Sequence, residues 1–472
     1  MEAEGQPMRL PSNLMFASDV LSGYSRNRFK LETTSSDTAT SGRIITVNLP
    51  ENALLDMKSL RFFFDCDAGY VTDAGTTLGG LQGLLPDGAQ SLISKVEVYV
   101  NGVQVQSGAN EYNSTCKIKN IGYYNQDNQQ SKGKLVNHAA IYSNAGEFEK
   151  STFIDASSNA VGENASMCVD SWCGFLNELS TRFLPTDLIG QIQIRITFAP
   201  DAVLSGLLDN KFAHDGSLNI VKNAPTYTAT NMYFTIDSIV IGDVYNQLLR
   251  NQLQSSYLPL NYLEYYMFTT GNLAGGSYSN RFSLSSGSID KLYAIQRRSL
   301  YNKFGAAKDI EFDTSDNFLS PLQAVGNQMI GKYFTYESFK KGRDSQNGTL
   351  RYQWQVNNVS YPQYKATNLE AMADLAYVND KVGYKPLGIL ASSPTAFCRG
   401  QAVYSLQLNH PELGLNTMSG YNSRGINSFM SFIMEGLDDS KVNSTNTIES
   451  VVLVQTTAQL RISAGRALAV SF

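Results

Sequence analysis

Charge is scarce in this sequence: Asp, Glu, Lys and Arg make up 17% of its 472 residues, where about a quarter is usual for a soluble domain. Much of the folded surface is therefore neutral or meets other protein. Basic clusters are scarcer still. The formal net charge is −5, and a protein that coats nucleic acid needs grouped Lys and Arg to displace counterions from phosphate, so that class is excluded. The nearest groups, Arg297-Arg298 and the set Lys340, Lys341 and Arg343, read as solvated loops. There are only three histidines, His138, His214 and His410. Each lies in a polar stretch or beside Pro411, without a Cys or His at metal-ligand spacing, so no metal site is expected. The five cysteines, Cys66, Cys116, Cys168, Cys173 and Cys398, are odd in number and scattered. That pattern excludes a disulfide framework and points to a reducing compartment. No apolar run approaches the roughly 18 residues of a helical membrane span. The first eleven residues carry Glu2 and Glu4 and lack the basic and apolar regions of a secretory signal. Synthesis and assembly inside a cell are expected.

Catalytic motifs are missing as well. Gly326 to Lys332 fits the first seven positions of a phosphate-binding loop, but Tyr333 stands where a Ser or Thr hydroxyl would hold magnesium. A glycine-bounded turn is the reading. Cys168 and Cys173 lack a second pair to complete a tetrahedral metal set, and Trp172 beside Cys173 suggests a buried thiol. Asp65 to Gly69 resembles the opening of a calcium loop without its later ligands and reads as a turn at a strand end. Asp438-Asp439 read as solvated acids. No nucleophile elbow, zinc-protease helix or dinucleotide fingerprint occurs. No catalytic, cofactor or metal residue is assigned, and the protein is not expected to be an enzyme. Five N-x-S/T sequons, at Asn113, Asn164, Asn347, Asn358 and Asn443, carry no weight without secretion.

What the sequence does contain is strand-forming residues between turns: 26 Tyr and 23 Phe, with Ser, Thr, Asn and Gly between apolar stretches. From Lys95 to Gln106, Val96, Val98 and Val100 alternate with polar residues, Asn101-Gly102 intervenes, and Val103 and Val105 resume the alternation. This is a hairpin, because Asn-Gly readily takes the two positive φ angles of a type I′ turn. The arrangement returns 256 residues later: Tyr352, Trp354 and Val356 precede Asn357-Asn358, and Val359 and Tyr361 follow. A helical segment comes after each copy, at 110–119 and at 367–378, the second opening on a Thr367/Glu370 capping box. The two hairpin turns, Asn101, Gly102, Asn357 and Asn358, therefore mark a duplicated domain. Other strands share the two-residue period, among them Ile45 to Leu49, Ile192 to Phe198, Met232 to Ile236, Phe282 to Leu284, Ala402 to Leu408 and Leu468 to Phe472. A leucine-rich helical stretch, Tyr245 to Leu253, marks the boundary. The expected layout is an N-terminal arm at 1–25, a first domain at 26–245 and a second at 246–472. Long polar insertions at 69–90, 126–161, 201–225 and 340–349 are candidates for outer surfaces and subunit contacts. The fold class is all-β, with antiparallel sandwiches and short helices in loops.

Ser94 to Val105 and Arg182 to Phe198 resemble segments of the first jelly roll of double jelly-roll major capsid proteins, of the polinton-like virus and virophage type. The layout of residues 26–472 is similar throughout. The resemblance implies two consecutive antiparallel eight-stranded jelly rolls. It also implies a homotrimer with a pseudo-hexagonal outline that tiles an icosahedral shell around double-stranded DNA. The implied partners are further copies of the chain and minor capsid or penton proteins, with no sequence-specific nucleic-acid binding, and the implied location is the virion. Whether a membrane lies inside the shell is left open. Two other classes stay open at this point: a glycan- or receptor-binding β-sandwich of fibre or lectin type, with exposed aromatic platforms, and a two-domain β-sandwich hydrolase with acids converging in a cleft.

Overall fold

The computed structural model describes residues 25–34, 37–69, 82–84, 88–107, 111–123, 153–155, 165–203, 205–207, 226–240, 247, 251, 257–299, 329–330, 333–334, 336–340, 350–378, 397–398, 400–425, 428–439, 442–444, 447–463 and 466–471. The arm at 1–24 and most of the boundary stretch 241–256 lie outside them, as do His138 and His214.

Sixteen strands carry the architecture. The first eight are β1 (Ser25–Glu32), β2 (Ile44–Asn48), β3 (Leu54–Gly69), β4 (Ile93–Val100), β5 (Val103–Gln106), β6 (Phe183–Pro185), β7 (Ile192–Phe198) and β8 (Thr226–Val240). The second eight are β9 (Leu258–Leu273), β10 (Ser277–Phe282), β11 (Ile289–Arg298), β12 (Arg351–Val356), β13 (Val359–Ala366), β14 (Val403–Gln407), β15 (Met430–Glu435) and β16 (Ile448–Ser463). Strands β1 to β8 form two four-stranded antiparallel arrays, in the orders β1-β8-β3-β6 and β2-β7-β4-β5. Strands β9 to β16 form β9-β16-β11-β14 and β10-β15-β12-β13. Adding eight to each label of the first set reproduces the second. The chain is thus two consecutive eight-stranded jelly rolls.

Alternation explains why these strands pair as they do. In β7, Ile192, Ile194, Ile196 and Phe198 are buried while the residues between them are half-buried. A one-residue slip would turn the whole apolar set to water, so burial fixes the register. Phe62 of β3 stacks on Phe234 of β8 with centroids 4.5 Å apart. In the second jelly roll Trp354 packs on Phe432 at 4.7 Å and Tyr352 on Tyr404 at 5.0 Å. Val98 and Trp354, at matching positions of the two hairpins, are both fully buried.

At the hairpins, Val100 opposes Val103 and Val356 opposes Val359 across two-residue turns. Asn101 and Gly102 have φ of 47° and 81°, and Asn357 and Asn358 have φ of 46° and 68°. All four lie in the left-handed region that Gly and Asn adopt most readily. The turns are tethered alike. The Asn101 N–H donates to the carbonyl of Gln191, just before β7, and the Asn357 N–H donates to that of Phe429, just before β15.

A helix follows each hairpin: α1 (Tyr112–Tyr123) in the first jelly roll and α3 (Asn368–Val378) in the second, with the single turn α2 (Thr186–Ile189) between them in sequence. Helix α1 starts two residues later than its sequence pattern indicates, because Glu111 has a φ of 72° and cannot be helical, and it ends four residues later. Thr367 caps α3. The Glu370 carboxylate accepts the Thr367 backbone N–H at 2.7 Å, and the Glu370 N–H meets Thr367 Oγ1 at 3.4 Å, the reciprocal arrangement of a capping box. The Thr367 N–H holds the Glu370 carboxyl below the usual range.

Four local expectations are corrected. Asp65 to Gly69 is the end of strand β3, paired with Thr226 to Thr230, rather than a turn. Arg297 does not lie in a solvated loop: it is fully buried on β11, and Arg298 lays its guanidinium over the Phe339 ring. Asp438 is buried, because the chain after β15 folds back against 336–340 and the Asp438 N–H donates to the Phe339 carbonyl at 2.9 Å. Lys340 forms a bridge to Leu437, while Lys341 and Arg343 lie outside the described residues. Parts of the long insertions also form structure. Gln82–Leu84, Phe153–Asp155 and Ser205–Leu207, from three of them, make a small antiparallel sheet with Met329–Ile330, so that it joins segments from both halves of the sequence.

Candidate assembly interface

A group of polar and charged side chains lies where the two jelly rolls meet inside one chain. Strand β9 is the last strand of its sheet, so one edge of its backbone is left without a strand of its own jelly roll. Residues 178–180 of the first jelly roll occupy that edge. The Ser180 N–H donates to the Asn261 carbonyl at 2.8 Å, and the Leu263 N–H donates to the Glu178 carbonyl at 3.1 Å. The first jelly roll thus extends the second one's sheet, and backbone groups that would otherwise be exposed are satisfied.

Side chains reinforce this edge. Tyr262 donates its hydroxyl to the Val105 carbonyl at 2.6 Å and meets Phe175 edge-on at 5.2 Å. Tyr265 donates to Glu178 at 2.8 Å, and Lys119 pairs with the same carboxylate while lying 5.0 Å from the Tyr265 ring centroid. Glu264 accepts the Ser107 hydroxyl at 3.2 Å and the Tyr266 hydroxyl at 2.9 Å, and burial pushes its carboxyl above the usual range. Arg297 reaches across with all of its fork. Its two terminal nitrogens donate to Glu111 at 2.7 Å each, and Nε donates to Glu449 at 2.9 Å. A planar guanidinium held on three sides sets orientation as well as attraction. Beside α1, the Cys116 and Cys173 sulfurs are 3.5 Å apart. Burial pushes the Cys116 thiol up, while hydrogen bonding from Cys116 holds Cys173 down.

The hairpin turns are not brought together. Asn101 reaches from its turn to the Arg466 carbonyl at 3.4 Å, and the Arg466 guanidinium donates to the Asp187 carbonyl at 2.9 Å, so the first turn touches the second jelly roll. Asn357 stays within its own jelly roll, donating to the Tyr421 hydroxyl and accepting the Phe429 N–H at 3.1 Å. Of the glycine-bounded stretch 326–332, only Met329–Ile330 is described, and it is a strand pair with Gly206 and Leu207. Among the described residues no cluster of three or more His, Cys, Asp or Glu could hold a metal ion, and no helix is long and apolar enough to cross a membrane. All five cysteines are buried thiols.

Strand alternation gives no account of the seam residues Glu111, Glu178, Glu264, Arg297 and Glu449. One signal was present. Glu264 falls in phase with Tyr262 and Tyr266, and an acid in phase with large aromatic residues on a strand marks a buried polar contact.

Two tandem jelly rolls of one strand order, locked edge to edge by a polar seam, define a double jelly-roll protein. Comparison with solved structures agrees. The chain is similar to PBCV-1 VP54, solved as a crystal structure and fitted into a reconstruction of the virophage Sputnik, at 13% identity over 95% of this chain and 97% of that one, with a TM-score of 0.55. It is similar to the Faustovirus major capsid protein at 11% identity over 93% and 91%, with a TM-score of 0.54. It also resembles a chain of the Sputnik virophage at 10% identity over 95% and 88%, with a TM-score of 0.51. No protein-family model and no curated protein matches the sequence. The chain therefore has the double jelly-roll fold of viral major capsid proteins.

Proposed function

We propose that this protein is the major capsid protein of a double-stranded DNA virus and works by symmetric self-association without covalent chemistry. The observation that carries the reading is the exact-order duplication of an eight-strand jelly roll across the chain, in a fold shared over more than nine-tenths of its length with a major capsid protein. Three copies place six jelly rolls in a ring of hexagonal outline, and such rings tile an icosahedral lattice. The mostly neutral surface suits broad contact between copies. Residues 1–25 serve as an arm, 26–245 as the first jelly roll and 246–472 as the second, and the hairpin turns at Asn101-Gly102 and Asn357-Asn358 have a structural role. Minor capsid or penton proteins complete the shell, which encloses the genome without reading its sequence. The protein is made inside the host cell and resides in the virion.

The test is direct. Native mass spectrometry and negative-stain microscopy of the purified full chain are expected to show trimers with a hexagonal outline. A stable monomer with no tendency to assemble overturns the reading.

A further inference from the structure

Helix α1 holds the segment that fills the β9 edge through one of its faces. Tyr112, Cys116 and Lys119 recur at helical spacing and share that face. Each of them meets the turn at 173–178. The Tyr112 hydroxyl accepts the Cys173 N–H at 2.9 Å, the Cys116 and Cys173 sulfurs are 3.5 Å apart, and Lys119 pairs with Glu178. The turn is closed by the Glu178 N–H to the Gly174 carbonyl at 2.9 Å and by the Gly174 N–H to the Glu178 carboxylate at 2.8 Å. Gly174 has a φ of 84°, and a Cβ there would lie 2.5 Å from the Gln106 side chain, so the turn sits hard against β5. Glu178 and Ser180, which end this turn, are the residues whose backbone groups bond to β9. Whatever fastens Cys173 to α1 therefore fastens the segment that joins the two jelly rolls.

The two sulfurs differ in reactivity. Cys173 retains 7% exposure against 2% for Cys116. The hydrogen bond from Cys116 holds the Cys173 thiol below the ordinary range, with the Lys119 ammonium acting in the same direction, while burial pushes Cys116 up. The thiolate is the nucleophile, so Cys173 is placed to attack an oxidant and Cys116 to resolve the product. Thiols that serve only as small apolar fillers need neither contact between their sulfurs nor a cation beside them.

We propose that Cys116 and Cys173 are a redox-sensitive staple, two thiols while the chain folds in a reducing compartment and one disulfide after a small peroxide reaches the folded protein. In the first step the Cys173 sulfur attacks a peroxide oxygen and the O–O bond breaks. The leaving hydroxide takes up the proton that Cys173 lost, and Cys173 becomes a sulfenic acid. In the second step the Cys116 sulfur bonds to the Cys173 sulfur, and the departing hydroxide leaves as water with the Cys116 proton. Two thiols are oxidised and one hydrogen peroxide is reduced to two waters. Sulfurs 3.5 Å apart are about 1.5 Å from bonding distance. The bond spans 57 positions of sequence and ties α1 to the turn that carries 178–180, which tightens the seam without a new contact between the jelly rolls. Only the timing rests on the capsid reading: thiols during assembly in the cell, a disulfide on the released particle.

The test uses the purified full chain, first reduced and then treated with hydrogen peroxide. Alkylation after unfolding is expected to count five thiols before treatment and two fewer after it, and peptide mapping to find Cys116 linked to Cys173. The link is expected to raise the melting temperature by about 4–16 °C, to slow hydrogen exchange at the Ser180 and Leu263 amides, and to reverse with dithiothreitol. Cys116→Ala and Cys173→Ala should each show neither the link nor the rise. Five thiols remaining in the treated wild type, a sulfinic acid at Cys173, or a link through any other cysteine overturns the staple. A link that leaves both amides exchanging as before overturns its action on the seam. Native mass of the same samples separates this inference from the capsid reading, because a chain that forms the link but stays monomeric supports the staple and overturns self-assembly.

Discussion

Replacing Arg297 with Met removes the one side chain that bonds to both Glu111, beside α1 of the first jelly roll, and Glu449 of the second. Methionine fills much of the same volume with flexible apolar atoms, so the change is mainly one of charge. It deletes the guanidinium's three hydrogen bonds to the two carboxylates and its longer one to Ser114 Oγ, and takes the buried counter-charge away from both acids. Breaking a buried pair from one side costs about 3–5 kcal/mol. The Glu111 and Glu449 side chains retain 22% and 14% exposure, and this residual contact with water places the loss at the lower end, about 3 kcal/mol. For a cooperative unit of one jelly roll, that loss lowers the melting temperature by about 6–12 °C, at roughly 2–4 °C per kcal/mol. Differential scanning calorimetry of the purified chain measures it. A triple variant, Arg297→Met with Glu111→Gln and Glu449→Gln, removes the stranded charges and is expected to recover most of the loss. A single variant that melts within about 2 °C of wild type, or a triple variant no better than the single, refutes the argument that uncompensated burial dominates here.

Three other outcomes are expected. Val98→Asp and Trp354→Asp each bury an unpaired carboxylate in a jelly-roll core, at a cost above about 4 kcal/mol, and size-exclusion chromatography should find no soluble trimer for either; normal assembly of both would mean the hairpins are not equivalent core elements. Gly102→Ala should destabilise by about 1–2 kcal/mol in urea titration through its φ of 81° alone, because the added Cβ meets nothing within 4 Å. Gly102→Asn should lose less, since Asn358 holds the matching position. The Asp237 carboxyl is held below its usual range chiefly by the Arg28 hydrogen bond. Its contribution is therefore present above the unfolded value of about 3.9 and is lost as pH falls through the lower folded value. The stability gap between wild type and Asp237→Asn should be constant above about pH 5 and shrink below about pH 4, and a gap that widens on acidification contradicts the assignment.

Period-two alternation and turn chemistry are local properties, so they were legible without coordinates. Val96, Val98 and Val100 before Asn101-Gly102, echoed by Tyr352, Trp354 and Val356 before Asn357-Asn358, determined by themselves that the chain repeats a hairpin whose first strand is core, whereas Val103 and Val359, just after the turns, are exposed. The Thr367/Glu370 capping box is likewise contained in four consecutive residues. What pairs with what across the chain was decided only by tertiary structure. Strand β1 lies beside β8 some two hundred residues on, and no local pattern encodes that long-range register. The seam is the clearest case. Arg297-Arg298 has the composition of a solvated loop, yet Arg297 is buried, because Glu111, distant in sequence, and Glu449 of the neighbouring strand supply the opposite charge that makes its desolvation tolerable. Backbone alternation is set by neighbouring residues, whereas the fate of a charge is set by whatever the fold brings to it.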